Sequence, residues 1–425
     1  MADSIRIQFP LDHLTTHQYE HAELQFDALL PFDQDGEAKR VRYEWMTLRS
    51  PLTRAGFKVK AYGPERRVAG YLVDINVPAC TIGNNLLLVN GVPRAAEIAL
   101  LLLQHWLLSK GCRRLGVFSL KLENARVVSV TLTYAFLLSS LETAQAARRD
   151  FATHADGVLN QRYLSRPRSG HKPVFWIGTE NANTYIRQRE FEIATYVKDG
   201  TGADAFVSFP SPEVEQLVRA EAEKCLRVEI KLYGAWLRDN GRDTVNTWRI
   251  LSDQVDPYEI GLKMIRKTLC LDDDLRERRP KETDIAKLFA EDQNVLRWHL
   301  DGHNPRQHPR LLEHKSADAR NRVFSEIKAR IYDRCRVDIS LPWAVQSTAY
   351  SRRLAELLQF ANRYSPPPHL MDHVYSPKSV ARVLPLLKQK VQAITHRGIS
   401  NVYISPEMLE DEAIEDYPEK NDDGG

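Results

Sequence analysis

Four short segments of this 425-residue chain alternate apolar and polar residues with a period of two, and that alternation restricts the fold more than any other feature. In Leu72–Val77, Val73, Ile75 and Val77 fall on one side while Asp74 and Asn76 fall on the other. Val128–Thr133 sets Ser129, Thr131 and Thr133 apart from its valines and leucine. Ile193–Lys198 places Tyr196 and Lys198 together, and Leu226–Lys231 places Arg227, Glu229 and Lys231 together. Each pattern predicts a β-strand with one face against a core and the other carrying polar groups. Were the four strands to share a sheet, one surface would gather two carboxylates, a tyrosine, lysines and an arginine, a set suited to phosphodiester chemistry. An antiparallel sheet with one face in water would show the same alternation without any function.

Around these segments the first half of the chain alternates strand-like and helix-like stretches, and the second half reads as mostly helical. The fold class expected is α+β: an N-terminal domain of mainly antiparallel strands with packed helices, then a mainly helical C-terminal region. Further strands are predicted at 41–48, 55–62, 174–178 and 190–198. The clearest helix opens at Asn90-Gly91-Val92-Pro93, with proline in its first turn, and runs to Leu108 before Lys110-Gly111 stops it. Helices are also expected over 255–270, 283–300, 319–335 and 377–397. The arginine-bearing stretch 148–172 reads as a connecting arm or a solvated loop. These boundaries predict domains at 1–245 and 246–405, with an acidic tail at 406–425.

Charge sharpens that division. Lys and Arg number 59 against 56 Asp and Glu, a net of +3. Residues 407–425 hold nine acids and one base, about −8, so the preceding chain carries about +11. A basic body suits a polyanion. Five cysteines lie far apart with no C-x-x-C pair, which predicts reduced thiols in a cytoplasm. No secretory signal opens the chain, and its most apolar run, 98–108, is too short to span a bilayer. There is no phosphate-binding G-x-x-x-x-G-K-[ST] loop and no H-x-H pair. His13, His17 and His21, like His299 and His303, recur at four-residue spacing, but without further ligands they do not make a zinc site.

A tyrosine hydroxyl is a poor nucleophile at neutral pH unless a base takes its proton or a cation stabilises its anion. Lys198 supplies positive charge beside Tyr196, and Asp74 and Glu229 are carboxylates fit to hold a hard divalent ion. Gly83-Asn84-Asn85, between the Asp74 strand and the Pro93 helix, resembles an element of the filamentous-phage gene II (gene II/X type) replication initiators. Ala194–Lys198 is similar to that family's strand with an aromatic nucleophile followed by lysine, and Leu226–Lys231 to its Arg-x-Glu strand. The likeness covers about residues 5–240, and the motifs occur in the family's order.

The resemblance implies a rolling-circle replication initiator that nicks and rejoins one DNA strand at a phage or plasmid origin, in a bacterial host cytoplasm, with a host helicase and DNA polymerase as partners. Tyr196 would be the nucleophile, Lys198 its electrostatic helper, and Glu229 an acid/base or metal carboxylate. Asp74 and Glu229 would hold a divalent metal, Mg²⁺ by expectation. Asn84, Asn85, Arg227 and Lys231 would touch DNA. Where that family carries Asp-x-Thr after the long helix, this chain reads Thr131-Leu132-Thr133, and Asp199-Gly200 follows Lys198. The alternatives are a catalytically inactive DNA-binding regulator with the same fold, and an unrelated metal-dependent phosphodiesterase whose nucleophile is water. In the second half, nine Lys or Arg against four acids over 306–336 mark Arg322, Lys328 and Arg330 as candidate phosphate contacts on a helix, and a solvated basic helix fits the same count.

Overall fold

The computed structural model describes residues 2–11, 28–29, 42–63, 68–88, 90–110, 114–161, 174–177, 184–198, 209–250, 256–271, 279–314, 316–343 and 349–396. Its strands are β1 (Ala2–Pro10), β2 (Ala28–Leu29), β3 (Arg42–Tyr43), β4 (Met46–Arg49), β5 (Gly56–Tyr62), β6 (Gly70–Asn76), β7 (Arg126–Leu137), β8 (Val174–Ile177), β9 (Thr184–Arg187), β10 (Phe191–Val197) and β11 (Cys225–Tyr233). In the N-terminal half the helices are α1 (Val77–Ile82), α2 (Val92–Ser109), α3 (Arg114–Ser119), α4 (Leu141–Gln161), α5 (Pro212–Ala222) and α6 (Gly234–Asp239). Then come α7 (Glu259–Thr268), α8 (Glu282–Ile285), α9 (Ala290–Leu300), α10 (Pro309–Leu312), α11 (Ala317–Cys335), α12 (Ala349–Leu357) and α13 (Pro377–His396). The class is α+β, as the sequence predicts.

Nine strands form one antiparallel sheet in the order β4-β5-β6-β1-β7-β11-β10-β9-β8. The period-two residues explain its two faces. Ile5, Ile7, Phe9, Val73, Ile75, Val130, Leu132, Tyr134, Val228, Ile230 and Ile193 point one way and are buried in one core with α2, α4, α7 and α13. The four polar strand faces foreseen in the sequence all lie on the opposite side, on β6, β7, β11 and β10. One end of that side is roofed by a small second layer, where Leu86, Leu87, Val218, Ala222, Leu370 and Val374 pack on Ala135 and Cys225. The candidate site lies where this roof ends.

Among the elements that differ from expectation are β1 and α4. β1 was not foreseen, although Ile5, Ile7 and Phe9 alternate with Arg6 and Gln8. Part of the supposed arm, with Arg148 and Arg149, is the helix α4, whose start is tied down by Ser140 and Thr143 hydrogen-bonding each other's backbone N–H. The rest of the arm, residues 162–172, lies outside the described residues, as do His13, His17, His21 and the acidic tail.

A domain boundary at 245 does not match the packing. Tyr258, Leu262 and Ile265, and then Leu354, Leu358, Leu384 and Leu387, belong to the same core as the sheet. A separate core is built from residues 285–339, with Val295, Leu296, Phe324, Ile327 and Ile331 at its centre. The physical reason is that α2 is apolar nearly all round: the sheet covers one side, and α13 must cover another. Among the described residues no helix is long and apolar enough to cross a membrane.

Candidate active site

The register sets Tyr196 on β10 opposite Arg227 on β11, and Glu229 opposite Thr133 on β7. Side chains two residues apart on a strand share a face, so these groups converge. Tyr196 Oη donates to Glu229 Oε1 at 2.5 Å, and Thr133 Oγ1 donates to the same oxygen at 3.1 Å. The Arg227 guanidinium stands 5.1 Å from the centroid of the Tyr196 ring, and Lys198 Nζ 5.9 Å from it. Lys198 Nζ also donates to Asn85 Oδ1 at 3.1 Å. Asn85 is delivered by the turn after α1, whose end is fixed by Gly83 at φ 82°. Only glycine adopts that left-handed conformation at little cost.

Burial raises the Tyr196 phenol well above its ordinary value; Arg227 opposes the shift, while Glu229 and Asp3 add to it. Tyr196 is therefore a neutral donor at physiological pH, and its proton points at a carboxylate. Burial works against the charge on Arg227, but the neighbouring Tyr196, Glu229 and Asp3 outweigh it and hold the guanidinium above its ordinary value.

Asp3 was missed in the sequence. Between the pairs Ala2–Leu132 and Ile5–Val130 the register of β1 on β7 shifts, so Asp3 and Ser4 both stand opposite Thr131. A bulge of this kind turns a side chain toward a face it would otherwise miss. Ser4 Oγ donates to Thr131 Oγ1 at 2.9 Å, Asn76 Nδ2 donates to Asp3 Oδ1 at 3.2 Å, and Arg227 Nη2 lies 3.7 Å from Asp3 Oδ2. Burial, with Glu229 adding its charge, raises the Asp3 carboxyl to about 6. Asp3 thus sets a carboxylate opposite Thr131, across the strand pair.

Other candidates go elsewhere. Asp74 pairs with Arg6 on β1. Three strand spacings separate it from Glu229, about 14 Å, and the register adds about 13 Å along the strands. The joint Asp74–Glu229 metal site of the sequence reading is therefore not formed. Asn84 is buried, with Oδ1 accepting from Leu86 N–H and Nδ2 donating to His373 O, so it shapes the turn instead of facing a ligand. Arg227 is 1% exposed and donates to Asn85 O at 2.7 Å, which removes it from direct DNA contact. Lys231 remains on the polar face, 5.8 Å from the Tyr233 ring.

In the second core, Arg330 makes two hydrogen bonds, of 2.7 and 2.9 Å, to the buried Asp292. Lys328 pairs with Asp338 at 3.0 Å and donates to Ser340. Both brace the fold, whereas Arg322 is exposed. His299 is buried, and burial lowers its proton affinity to about 4. Compared with known proteins, the chain matches no protein family, no curated protein and no solved structure at a significant level.

Proposed function

We propose that this chain nicks and rejoins one strand of DNA through Tyr196, the activity of an initiator of rolling-circle replication at a phage or plasmid origin. The observation that carries the reading is the hydrogen bond from Tyr196 to Glu229 beside two cations, Arg227 and Lys198. As Tyr196 Oη forms its bond to phosphorus, its proton passes to Glu229. The P–O3′ bond breaks, the electron pair stays on O3′, and that oxygen takes up a proton, for which the Lys198 ammonium above the same ring is the donor at hand. The strand is then linked by its 5′ phosphate to Tyr196, with a free 3′ hydroxyl for a host polymerase to extend behind a helicase. The phosphotyrosyl ester keeps the energy of the broken bond, so reversal rejoins the strand without ATP. Beyond the site, Arg6, Lys58, Lys60 and Lys231 lie on the same sheet face, where phosphates could be neutralised.

A second reading, a DNA-binding regulator that does not cut, is favoured by the desolvation that raises the proton affinity of Tyr196. Purified protein is incubated with supercoiled DNA carrying candidate origins and with a labelled random single-stranded oligonucleotide pool, then denatured and separated by electrophoresis. The enzyme reading expects a label that stays on wild type and is absent from Tyr196→Phe. Glu229→Gln should slow its appearance by about 10²–10⁴-fold, the range of general-base assistance. Binding without adduct in wild type would replace it with the regulator reading.

A further inference from the structure

Among the described residues no group of three or more His, Cys, Asp or Glu side chains is placed to hold a metal ion. The two carboxylates that the fold does bring together, Asp3 and Glu229, already share a cation. Arg227 Nη2 lies 3.7 Å from Asp3 Oδ2 and 3.4 Å from Glu229 Oε1. Magnesium needs six oxygens at about 2.0–2.1 Å, and a guanidinium nitrogen between the two carboxylates stands where such an ion would have to sit. Glu229 Oε1 is further occupied by the donors of Tyr196 and Thr133.

The charge count leads to the same conclusion. Asp3 and Glu229, when ionised, are balanced by Arg227 and Lys198, which leaves no net negative charge to offset the dehydration of a divalent ion. Arg227 is not free to swing aside. Its side chain is 1% exposed, and Nη1 donates to Asn85 O at 2.7 Å and Leu86 O at 3.4 Å beneath the turn that follows Gly83. The donor set therefore does not fit the magnesium that the sequence resemblance implies.

We propose that Arg227 is the resident cation of this centre, filling the place between Asp3 and Glu229, and that the site carries out its chemistry without a divalent ion. Arg227 is a positioning residue. It holds Glu229 against Tyr196, with Nη2 3.4 Å from Glu229 Oε1, while Lys198, on the same strand face as Tyr196, is the second cation of the centre. The chemistry in this inference rests on the phosphoryl-transfer reading above; the ion-binding part rests on geometry alone.

The test has two arms. In the first, Mn²⁺ is titrated to about 1 mM, the scale of weak carboxylate sites, into the full-length protein, with free ion read by electron paramagnetic resonance. Wild type, Asp3→Asn and Glu229→Gln should give superimposable curves, because ions held elsewhere on the chain are common to all three. Loss of a binding site in either variant overturns the proposal. Arg227→Met vacates the place and should gain one Mn²⁺ site; if that variant does not fold, the wild-type comparison decides alone. In the second arm, adduct formation on the oligonucleotide pool is measured in excess EDTA and in Mg²⁺. Equal rates are expected, and a fall of about 10²-fold or more in EDTA that Mg²⁺ restores would sink the metal-free assignment. Should no adduct form in either buffer, the nicking reading falls, while superimposed Mn²⁺ curves still uphold Arg227 as the resident cation.

Discussion

Asp3 is the residue whose environment departs most from what its position in the sequence suggests. Its carboxyl is raised from 3.8 to about 6, first by burial and then by Glu229, so the folded chain holds that proton more tightly than the unfolded chain. The stability this gives is fully present below 3.8 and is lost as the pH rises through 6, above which the buried charge costs up to about 3 kcal/mol. Asp3→Asn is therefore expected to resist urea better than wild type at pH 7.5, with the difference closing toward pH 4; an unchanged gap would mean another group dominates. Tyr196, Glu229, Lys198 and Asn85 were legible as candidates from strand period and motif order, and the tertiary structure brings them together. Asp3 was not, because a bulge with no local signature aims it at the site. Nor could composition tell that Arg330 is bound to Asp292 and Arg322 is not, since a count of charges does not name their partners.

At the scale of elements, α2 was legible to within a residue at each end. Pro93 occupies its first turn, Gly91 precedes it and Lys110 ends it. α7 shows a contact that propensity misjudges. Gly261 sits inside this helix, where alanine would ordinarily gain about 1 kcal/mol. A Cβ there would meet Tyr134 Oη at 2.4 Å and Ile230 Cγ2 at 2.9 Å, because the helix lies directly on β7 and β11. Tyr134 Oη is itself held by a 2.5 Å hydrogen bond to Tyr258 O, so it has little room to retreat. Overpacking of this kind costs about 1–3 kcal/mol. Gly261→Ala should thus lower the melting temperature; a rise would show that helix propensity outweighs the contact. α4 escaped notice because its arginines and scattered apolar residues resemble a solvated loop until the sheet supplies the surface that Phe151 and Ala155 bury.

Across the whole molecule, the sheet shares one core with α7, α12 and α13, while residues 285–339 build their own. Leu354, Leu358, Val380, Leu384, Leu387 and Val391 are all buried in the shared core. At about 1.5–3 kcal/mol each, their loss approaches or exceeds the 5–15 kcal/mol that separates folded from unfolded domains. A chain ending at residue 245 is therefore expected to lack a cooperative thermal transition, and a sharp one near the full-length melting temperature would restore the boundary placed there by sequence. The sequence by itself determined that strands would have one apolar and one polar face, where the long helix begins and ends, and that Tyr196 shares a strand face with Lys198 and Arg227 shares one with Glu229. Those properties are local, repeating every two or 3.6 residues. Only the tertiary structure decided which strands are neighbours. By placing β1 between β6 and β7, it set Asp3 and not Asp74 beside Arg227, because strand order is fixed by which apolar faces can be buried together across the whole chain.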